Sequence, residues 1–221
     1  MIQVTMVYKN AHPGFTLVEM AVVLVIVGLL LAGLLIPLSA QIDQRNYSDA
    51  QKAMNDIKDA LAGYAMSHTA LDGRPFLPCP DITNDGIEDR LAADCSNVNG
   101  DIPWATLSTP ATDSWGNRYR YRVTQAFANS NVGFTLTTPG NMTILDASGG
   151  NNIATFVPAV IISRGVNNVG AGFDEQENSN LDATFVSHTL SSVAGNEFDD
   201  LVTWISPGIL LSRMVSAGKL P

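Results

Sequence analysis

Cysteine, histidine and basic residues are scarce in this chain of 221 residues, and each shortage excludes a class of function. Two cysteines cannot build a zinc site with three or four thiolates, and the three histidines are scattered away from them. The 12 basic side chains face 21 acidic ones, and a formal charge of -9 does not attract nucleic acids or other polyanions. Because 46% of the residues are hydrophobic and only 15% are charged, the composition also argues against intrinsic disorder.

Catalytic motifs are missing as well. His68 and His188 stand outside any zinc-protease, serine-hydrolase or phosphate-loop pattern. His68 continues the apolar face of a predicted helix, where a packing role is favoured over that of a general base. The sequence therefore predicts a protein that is not an enzyme.

The apolar residues are concentrated near the amino terminus. Residues 1–42 contain only Lys9 and Glu19 as charged side chains, and the 17 residues from Met20 to Ile36 are apolar apart from two glycines. A helix over residues 15–36 would be about 33 Å long, close to the thickness of a bilayer core. We therefore expect one transmembrane helix before an acidic body. An ordinary anchor and a secretory signal peptide are alternatives, but a carboxylate inside the apolar run needs a partner.

The residues just before and at the start of this apolar run form a recognisable motif. His12, Pro13 and Gly14 precede Phe-Thr-Leu-Val-Glu, and this order resembles the amino terminus of type IV pilins and type II secretion pseudopilins. The resemblance implies that a prepilin peptidase cuts after Gly14 and methylates the new amino group of Phe15. It also implies that Glu19 pairs with the Phe15 amine of a neighbouring subunit during assembly. Breaking one side of a buried ion pair typically costs about 3 to 5 kcal/mol, so Glu19 would set the register of the filament.

The resemblance implies a pilin-like α+β fold, in which a long N-terminal helix packs on an antiparallel β-sheet. We divide the chain into a leader (1–14), a transmembrane and assembly helix (15–38), an amphipathic half of the helix (39–71) and a β-rich body (72–221). The amphipathic half is predicted from apolar residues at intervals of three and four: Tyr47, Ala50, Met54, Ile57, Leu61 and Tyr64.

Two further features of the body are predicted, a disulfide and a C-terminal extension. If the body faces the periplasm or the exterior, a disulfide between Cys79 and Cys95 is favoured over a free thiol pair, and closing residues 79–95 would be worth about 3 kcal/mol. Within a C-terminal extension, residues 206–221, Ser206, Pro207 and Gly218 are typical of the start and end of a short helix. The disulfide loop and the extension favour a minor subunit.

A calcium loop is a candidate between the two cysteines. Glycine is at the sixth position of this segment, and oxygen-bearing side chains occupy the first, third, fifth and ninth positions: Asp81, Thr83, Asp85 and Asp89. The twelfth position carries Ala92 where such loops have glutamate. An acidic, solvated turn held by the disulfide is therefore the alternative.

Motifs in the body resemble those of the major pseudopilins. Residues 113–121 are similar to the family's turn before a strand, and residues 161–172 and 198–204 to its glycine-rich loop and final strand. The resemblance implies a second calcium site at Asp199 and Asp200. The acidic segment before the final strand, which holds Asp174, Glu175, Glu177 and Asp182, is longer than the family pattern.

Arginines alternate with tyrosines along the strand that follows Gly116. Period-two spacing places Tyr119 and Tyr121 on one face and the three arginines on the other: Arg118, Arg120 and Arg122. In an acidic domain, we expect these arginines to pair with acids of an adjacent subunit rather than with DNA.

The function predicted from the sequence is a structural subunit of a bacterial type IV pilus or type II secretion pseudopilus. Before assembly it would sit in the inner membrane, with its body in the periplasm, and its partners would be prepilin peptidase and other pilin subunits. A pilus-tip adhesin or DNA-uptake receptor is the main alternative. A secreted periplasmic protein with an ordinary signal peptide is the second, and it would begin at Gln41.

Overall fold

The computed structural model describes residues 14–221 apart from 169 and 171, and between residues 32 and 40 it describes the backbone alone. The chain divides into two compact units, Met1–Arg45 and Asn46–Pro221. Residues 1–13 of the predicted leader lie outside the described residues. The long helix α1, Leu17–Ser67, runs through the boundary of the two units.

The start of α1 is fixed by a reciprocal pair of hydrogen bonds. The Glu19 backbone N–H donates to Thr16 Oγ1 at 3.2 Å, and the Thr16 backbone N–H donates to the Glu19 carboxylate at 2.8 Å. This is a capping box, in which two amide groups at the helix start find side-chain acceptors. In the described part of the first unit, every side chain of residues 17–31 is exposed.

The second unit contains the rest of α1 and all of the strands. In chain order the strands are β1 (Arg90–Leu91), β2 (Asp94–Cys95), β3 (Asn99–Asp101), β4 (Arg120–Val123), β5 (Met142–Leu145), β6 (Asn152–Val157), β7 (Ala159–Ser163), β8 (Thr184–Val186), β9 (Ser191–Val193), β10 (Asn196–Phe198) and β11 (Leu201–Ile205). The further helices are α2 (Trp104–Leu107), α3 (Gln125–Ala128), α4 (Phe173–Ser179) and α5 (Pro207–Ser216).

The apolar stripe of α1 forms one side of the main core, as its spacing predicts. The buried members of the stripe are Ala50, Met54, Ile57, Leu61 and Tyr64. Most of them pack in one cluster with Tyr119 and Tyr121 of the arginine-tyrosine segment and with Leu210 and Met214 of α5. The C-terminal extension therefore contributes to the core of the body.

Two larger sheets form the body. In the first, the strand order is β11-β7-β4-β3 and all neighbours are antiparallel. Strand β7 lies inside this sheet and is buried along its whole length. The second sheet has the order β6-β5-β8, and its β5 and β8 are parallel. The expected antiparallel sheet is thus present, and a mixed sheet that the sequence did not predict stands beside it.

Candidate functional site

The N-terminal end of the described chain is open to solvent. Gly14 is exposed, and no heavy atom lies within 4 Å of the position that a Cβ atom would take there. The side chain of Phe15 is 84% exposed. The bond between these two residues, where processing is expected, is therefore accessible in the described part of the chain.

Glu19 has a role in the single chain that the resemblance does not mention. Besides accepting the Thr16 amide, its carboxylate accepts a hydrogen bond from Thr16 Oγ1 at 3.1 Å. The sequence Thr-Leu-Val-Glu carries the signature of a capping box, so this role could have been read from residues 16–19.

Three carboxylates of the body come together in what we call the acidic centre: Glu175, Asp199 and Asp200. Glu175 lies in the first turn of α4, and the two aspartates lie between β10 and β11. One oxygen from each residue lies within 4.8 Å of the others. Glu175 is 1% exposed and Asp200 is 4% exposed. The structure thus joins the two aspartates predicted from the resemblance to a glutamate 24 residues earlier in the chain.

Backbone and amide groups hold the acidic centre in place. The Asp199 amide donates to Glu175 Oε1 at 2.9 Å, and the amides of Val166 and Asn167 donate to Asp199 Oδ2 at 2.9 and 3.2 Å. Asn178 Nδ2 donates to one oxygen of Asp200 at 2.8 Å. The other oxygen of Asp199, Oδ1, is buried and has no hydrogen-bond partner within the described residues.

The electrostatics of the centre favour a cation. Burial raises the pKa of Asp200 to about 7; the hydrogen bond from Asn178 opposes this rise, and the neighbouring carboxylates of Glu175 and Asp199 add to it. Burial also raises the pKa of Asp199, against the two backbone amides that donate to it. A cation among the three carboxylates would stabilise their charged forms.

Glycines in the loop between β7 and α4 leave space for the carboxylates of the acidic centre. Gly165 adopts a left-handed φ of +56°, and a Cβ atom there would lie 2.5 Å from the carboxyl carbon of Asp199. A Cβ atom on Gly170 would collide with the carboxylate of Glu175. The loop is also tied to the first motif of the body, because Asn117 Nδ2 donates to the Gly165 carbonyl at 2.6 Å.

These residues fit a metal ion. The ligand atoms are oxygens, and one buried oxygen has no hydrogen-bond partner among the residues that the structure describes. Such an oxygen-rich set suits hard cations such as Ca²⁺ or Mg²⁺. This buried acidic cluster could hold such an ion. Glu175 was visible in the sequence as part of an acidic segment, but no local pattern linked it to the two aspartates.

The first predicted calcium loop has a different arrangement. The carboxylate of Asp81 is buried and accepts the amides of Asn84 and Gly86, both at 2.7 Å. Asp89 accepts the amides of Ile82 and Thr83 at 2.7 and 3.0 Å. Within the part of the chain that the structure describes, the acids of this loop do not meet in a metal-binding cluster. Asp85 is exposed and accepts the amide two residues after it.

The same loop is closed by a disulfide between Cys79 and Cys95, the pair that the sequence indicates. Its base is fixed by Glu88, whose carboxylate accepts the Cys79 amide at 2.8 Å and the hydroxyl of Tyr64 in α1 at 2.7 Å. The disulfide and these bonds tie the loop to the core of the body.

The three arginines are engaged within the chain. Arg120 forms an ion pair with the buried Asp101, and Arg122 donates to Asn99 Oδ1 at 2.7 Å. The guanidinium of Arg118 lies 5.8 Å from the ring centre of Trp104. The expectation that these arginines pair with acids of another subunit is therefore wrong for Arg120, whose acid lies on the adjacent strand β3.

Comparison with known protein families identifies the amino-terminal segment. Residues 9–35 match the prokaryotic N-terminal methylation motif. The match includes Gly14, Phe15 and Glu19, and it supports the type IV pilin and pseudopilin family for this chain. The motif implies processing by a prepilin peptidase and assembly with other pilin subunits. No curated protein and no solved structure gives a significant match to the chain.

The membrane span predicted at residues 15–38 extends beyond the side chains that the structure describes, which stop at residue 31 and resume at residue 41. Among the described residues, no helix has both the length and the apolar character that crossing a membrane requires.

Proposed function

We propose that this chain is a minor structural subunit of a bacterial type IV pilus or type II secretion pseudopilus. The observation that carries the proposal is the N-terminal methylation motif, followed by exposed apolar side chains from Leu17 to Leu31. An apolar surface of this kind marks a site that other protein or lipid covers. The motif favours a structural role over catalysis.

Maturation begins in the inner membrane in this proposal. The apolar helix is stored there with the body in the periplasm, and prepilin peptidase removes residues 1–14 and methylates Phe15. The exposure of Gly14 and Phe15 supports access by the peptidase. The matured helix then leaves the lipid and is covered by the helices of neighbouring subunits.

Glu19 would have two successive roles, one before assembly and one in the filament. In the single subunit its carboxylate caps α1 through Thr16. In the filament the same carboxylate would pair with the methylated amine of a neighbouring Phe15. Capping keeps the charged group hydrogen-bonded until that amine arrives, which reduces the cost of holding it in an apolar segment.

Two substitutions separate these roles. Glu19→Gln keeps a carbonyl acceptor for the capping box but removes the charge, whereas Glu19→Val removes both. If pairing drives assembly, both variants should be lost from filaments while the body remains folded. Normal filament content of Glu19→Gln, with loss of Glu19→Val, would show that capping alone is needed.

We propose calcium as the ion of the acidic centre. When bound, it would neutralise the three carboxylates and fix the glycine-rich loop against the end of β10. The unpartnered Asp199 Oδ1 and the buried Glu175 support this choice. Its function would be structural, since it would tie α4 and the loop that holds Gly165 to the segment between β10 and β11.

The alternative of a DNA-uptake receptor receives no support from the arginines. Arg120 and Arg122 are held by Asp101 and Asn99, so a phosphate would have to displace internal partners. The proposed function is tested by shearing filaments from cells that express the full chain and identifying their subunits by mass spectrometry. Absence of this chain from pilus and pseudopilus fractions would contradict the proposal.

A further inference from the structure

A cavity in the body lies between α1 and α5. It has a volume of about 290 Å³ and is lined by residues of α1, α5 and the end of β11. Its floor is apolar and buried, and it is formed by Ala62, Ile205 and Leu210. Trp204 and Ile209 add apolar surface nearer to solvent. Concave sites with mostly apolar linings are where proteins bind small molecules.

The polar groups of the cavity lie mainly on one face of α1. Lys58 and Asp59 are three and four residues after Asn55, and side chains at these spacings are neighbours on a helix. Asp59 is paired with Arg213 of α5, whose guanidinium donates to its carboxylate at 2.7 Å. Lys58 is half-buried, and it has no hydrogen bond and no ion-pair partner among the residues that the structure describes. Lys58 is therefore the uncompensated charge of the cavity.

This positive charge is an exception on an acidic body. Residues 46–221 carry 19 acidic and 10 basic side chains, a formal charge of -9. Lysine is rarely withdrawn from water without a partner, because its ammonium group has three donors to satisfy. A negatively charged ligand would supply that partner, and the apolar floor would cover the rest of the ligand.

We propose that this cavity binds a small carboxylate, a free molecule with one negative charge and an aromatic or short aliphatic body. The carboxylate would accept hydrogen bonds from Lys58, and the apolar body would lie on Ala62, Ile205 and Leu210. The cavity has about ten times the roughly 30 Å³ that one water molecule occupies, which limits the ligand to about ten non-hydrogen atoms. Because α5 forms one wall, ligand binding would be a function of the C-terminal extension, separate from assembly through the apolar helix.

The first test measures binding of 4-fluorobenzoate, a carboxylate of this size, to the purified full chain in detergent by fluorine NMR. We expect saturable binding with a dissociation constant of about 1 mM or below, a range open to so small a ligand. 4-Fluorobenzamide is the neutral control of the same size and shape, and it should bind at least about tenfold more weakly. Equal binding of both probes, or no binding of 4-fluorobenzoate beyond that of detergent alone, would overturn the proposal.

Substitutions at two lysines of α1 test the role of the charge. Lys58→Met keeps an apolar stem but removes the ammonium group, so it should weaken the binding of 4-fluorobenzoate about tenfold. Lys58→Arg keeps the charge and should stay within about threefold of the wild type. Lys52→Met is the matched control and should bind like the wild type, because Lys52 is exposed on the same helix outside the cavity. Unchanged binding in Lys58→Met, or an equal loss in Lys52→Met, would contradict the assignment.

A further variant and a crosslink distinguish this site from a misfolded chain and from a protein partner. Asn55→Phe fills the cavity from an exposed position of α1, so it should abolish binding while the melting temperature stays within about 2 °C of the wild type. A photoreactive amino acid in place of Ile209 tests the occupant in cells that express the full chain, and we expect no protein adduct there. Retained binding in Asn55→Phe, or a protein crosslinked to position 209, would show that the cavity is not the site of a free carboxylate.

Discussion

Replacing Asp200 by asparagine tests two properties of the acidic centre together: the pH dependence of its stability and its response to calcium. In the metal-free chain, the pKa of Asp200 is raised to about 7 from an ordinary value of 3.8, so between these pH values the folded state keeps a proton that the unfolded state has lost. Its contribution to stability is full below pH 3.8 and is lost as the pH rises through 7. The whole loss is about 4 kcal/mol, of which about 2 kcal/mol falls between pH 5 and pH 7.

Calcium should reverse this loss. At about 50 times its dissociation constant, an ion that binds only the folded state adds about 2 kcal/mol. For a chain of this size, 2 kcal/mol corresponds to about 4 to 8 °C in melting temperature. With chelator present, the wild type should therefore melt about 4 to 8 °C lower at pH 7 than at pH 5, and calcium at pH 7 should restore much of the difference.

The assay is thermal unfolding of the purified full chain in detergent, with chelator or calcium, at both pH values. Asp200→Asn should lose most of the dependence on pH, leaving the part that comes from Asp199, and should lose the response to calcium. Asp85→Asn is the matched control, because Asp85 belongs to the 81–89 loop and should leave both responses intact. A wild type with equal melting temperatures at pH 5 and pH 7, and no response to calcium, would refute the reasoning. Loss of the calcium response in Asp85→Asn alone would move the ion to the 81–89 loop.

Two further predictions concern the stability of the body. Replacing Cys79 and Cys95 by serine should lower the free energy of unfolding by about 3 kcal/mol, because the bond closes a loop with a sequence separation of 16; an unchanged denaturation midpoint would contradict this. Arg120→Ala leaves the buried carboxylate of Asp101 without its cation and should cost about 2 kcal/mol, since the arginine is partly solvated. Urea unfolding at neutral pH measures this cost, and a loss below about 0.5 kcal/mol would show that the pair is a surface contact of little weight.

The sequence predicted features that depend on local periodicity. The spacing of Met54, Ile57 and Leu61 places them on one helical face, and all three are buried in the core. Alternation likewise predicted that Tyr119 and Tyr121 share one face, and the structure shows that both are buried. These predictions succeed because a period of 3.6 or 2 residues is a property of neighbouring side chains alone.

Features that depend on distant pairing could not be predicted in the same way. The parallel pairing of β5 with β8 joins strands that are separated by β6, β7 and α4. Glu175 meets Asp199 only because α4 packs against β8 and β10. No local pattern around either residue carries that information. The sequence therefore identified the acidic residues but not that three of them form one cluster.

The 81–89 loop shows a different limit. A calcium loop and a turn stabilised by aspartate side chains both need carboxylates at alternate positions and a glycine for the tight bend. What distinguishes them is whether one oxygen from each carboxylate converges on a common point, and among the described residues the acids of this loop do not. That property belongs to the folded backbone and has no signature in the residue types.

The most direct test of the account is the intact mass and amino-terminal sequence of this chain recovered from sheared filaments. The account predicts a mature chain that begins at Phe15, carries a methyl group on its amine and retains the disulfide between Cys79 and Cys95. A filament-free chain that begins at Gln41, or one that still begins at Met1, would contradict it.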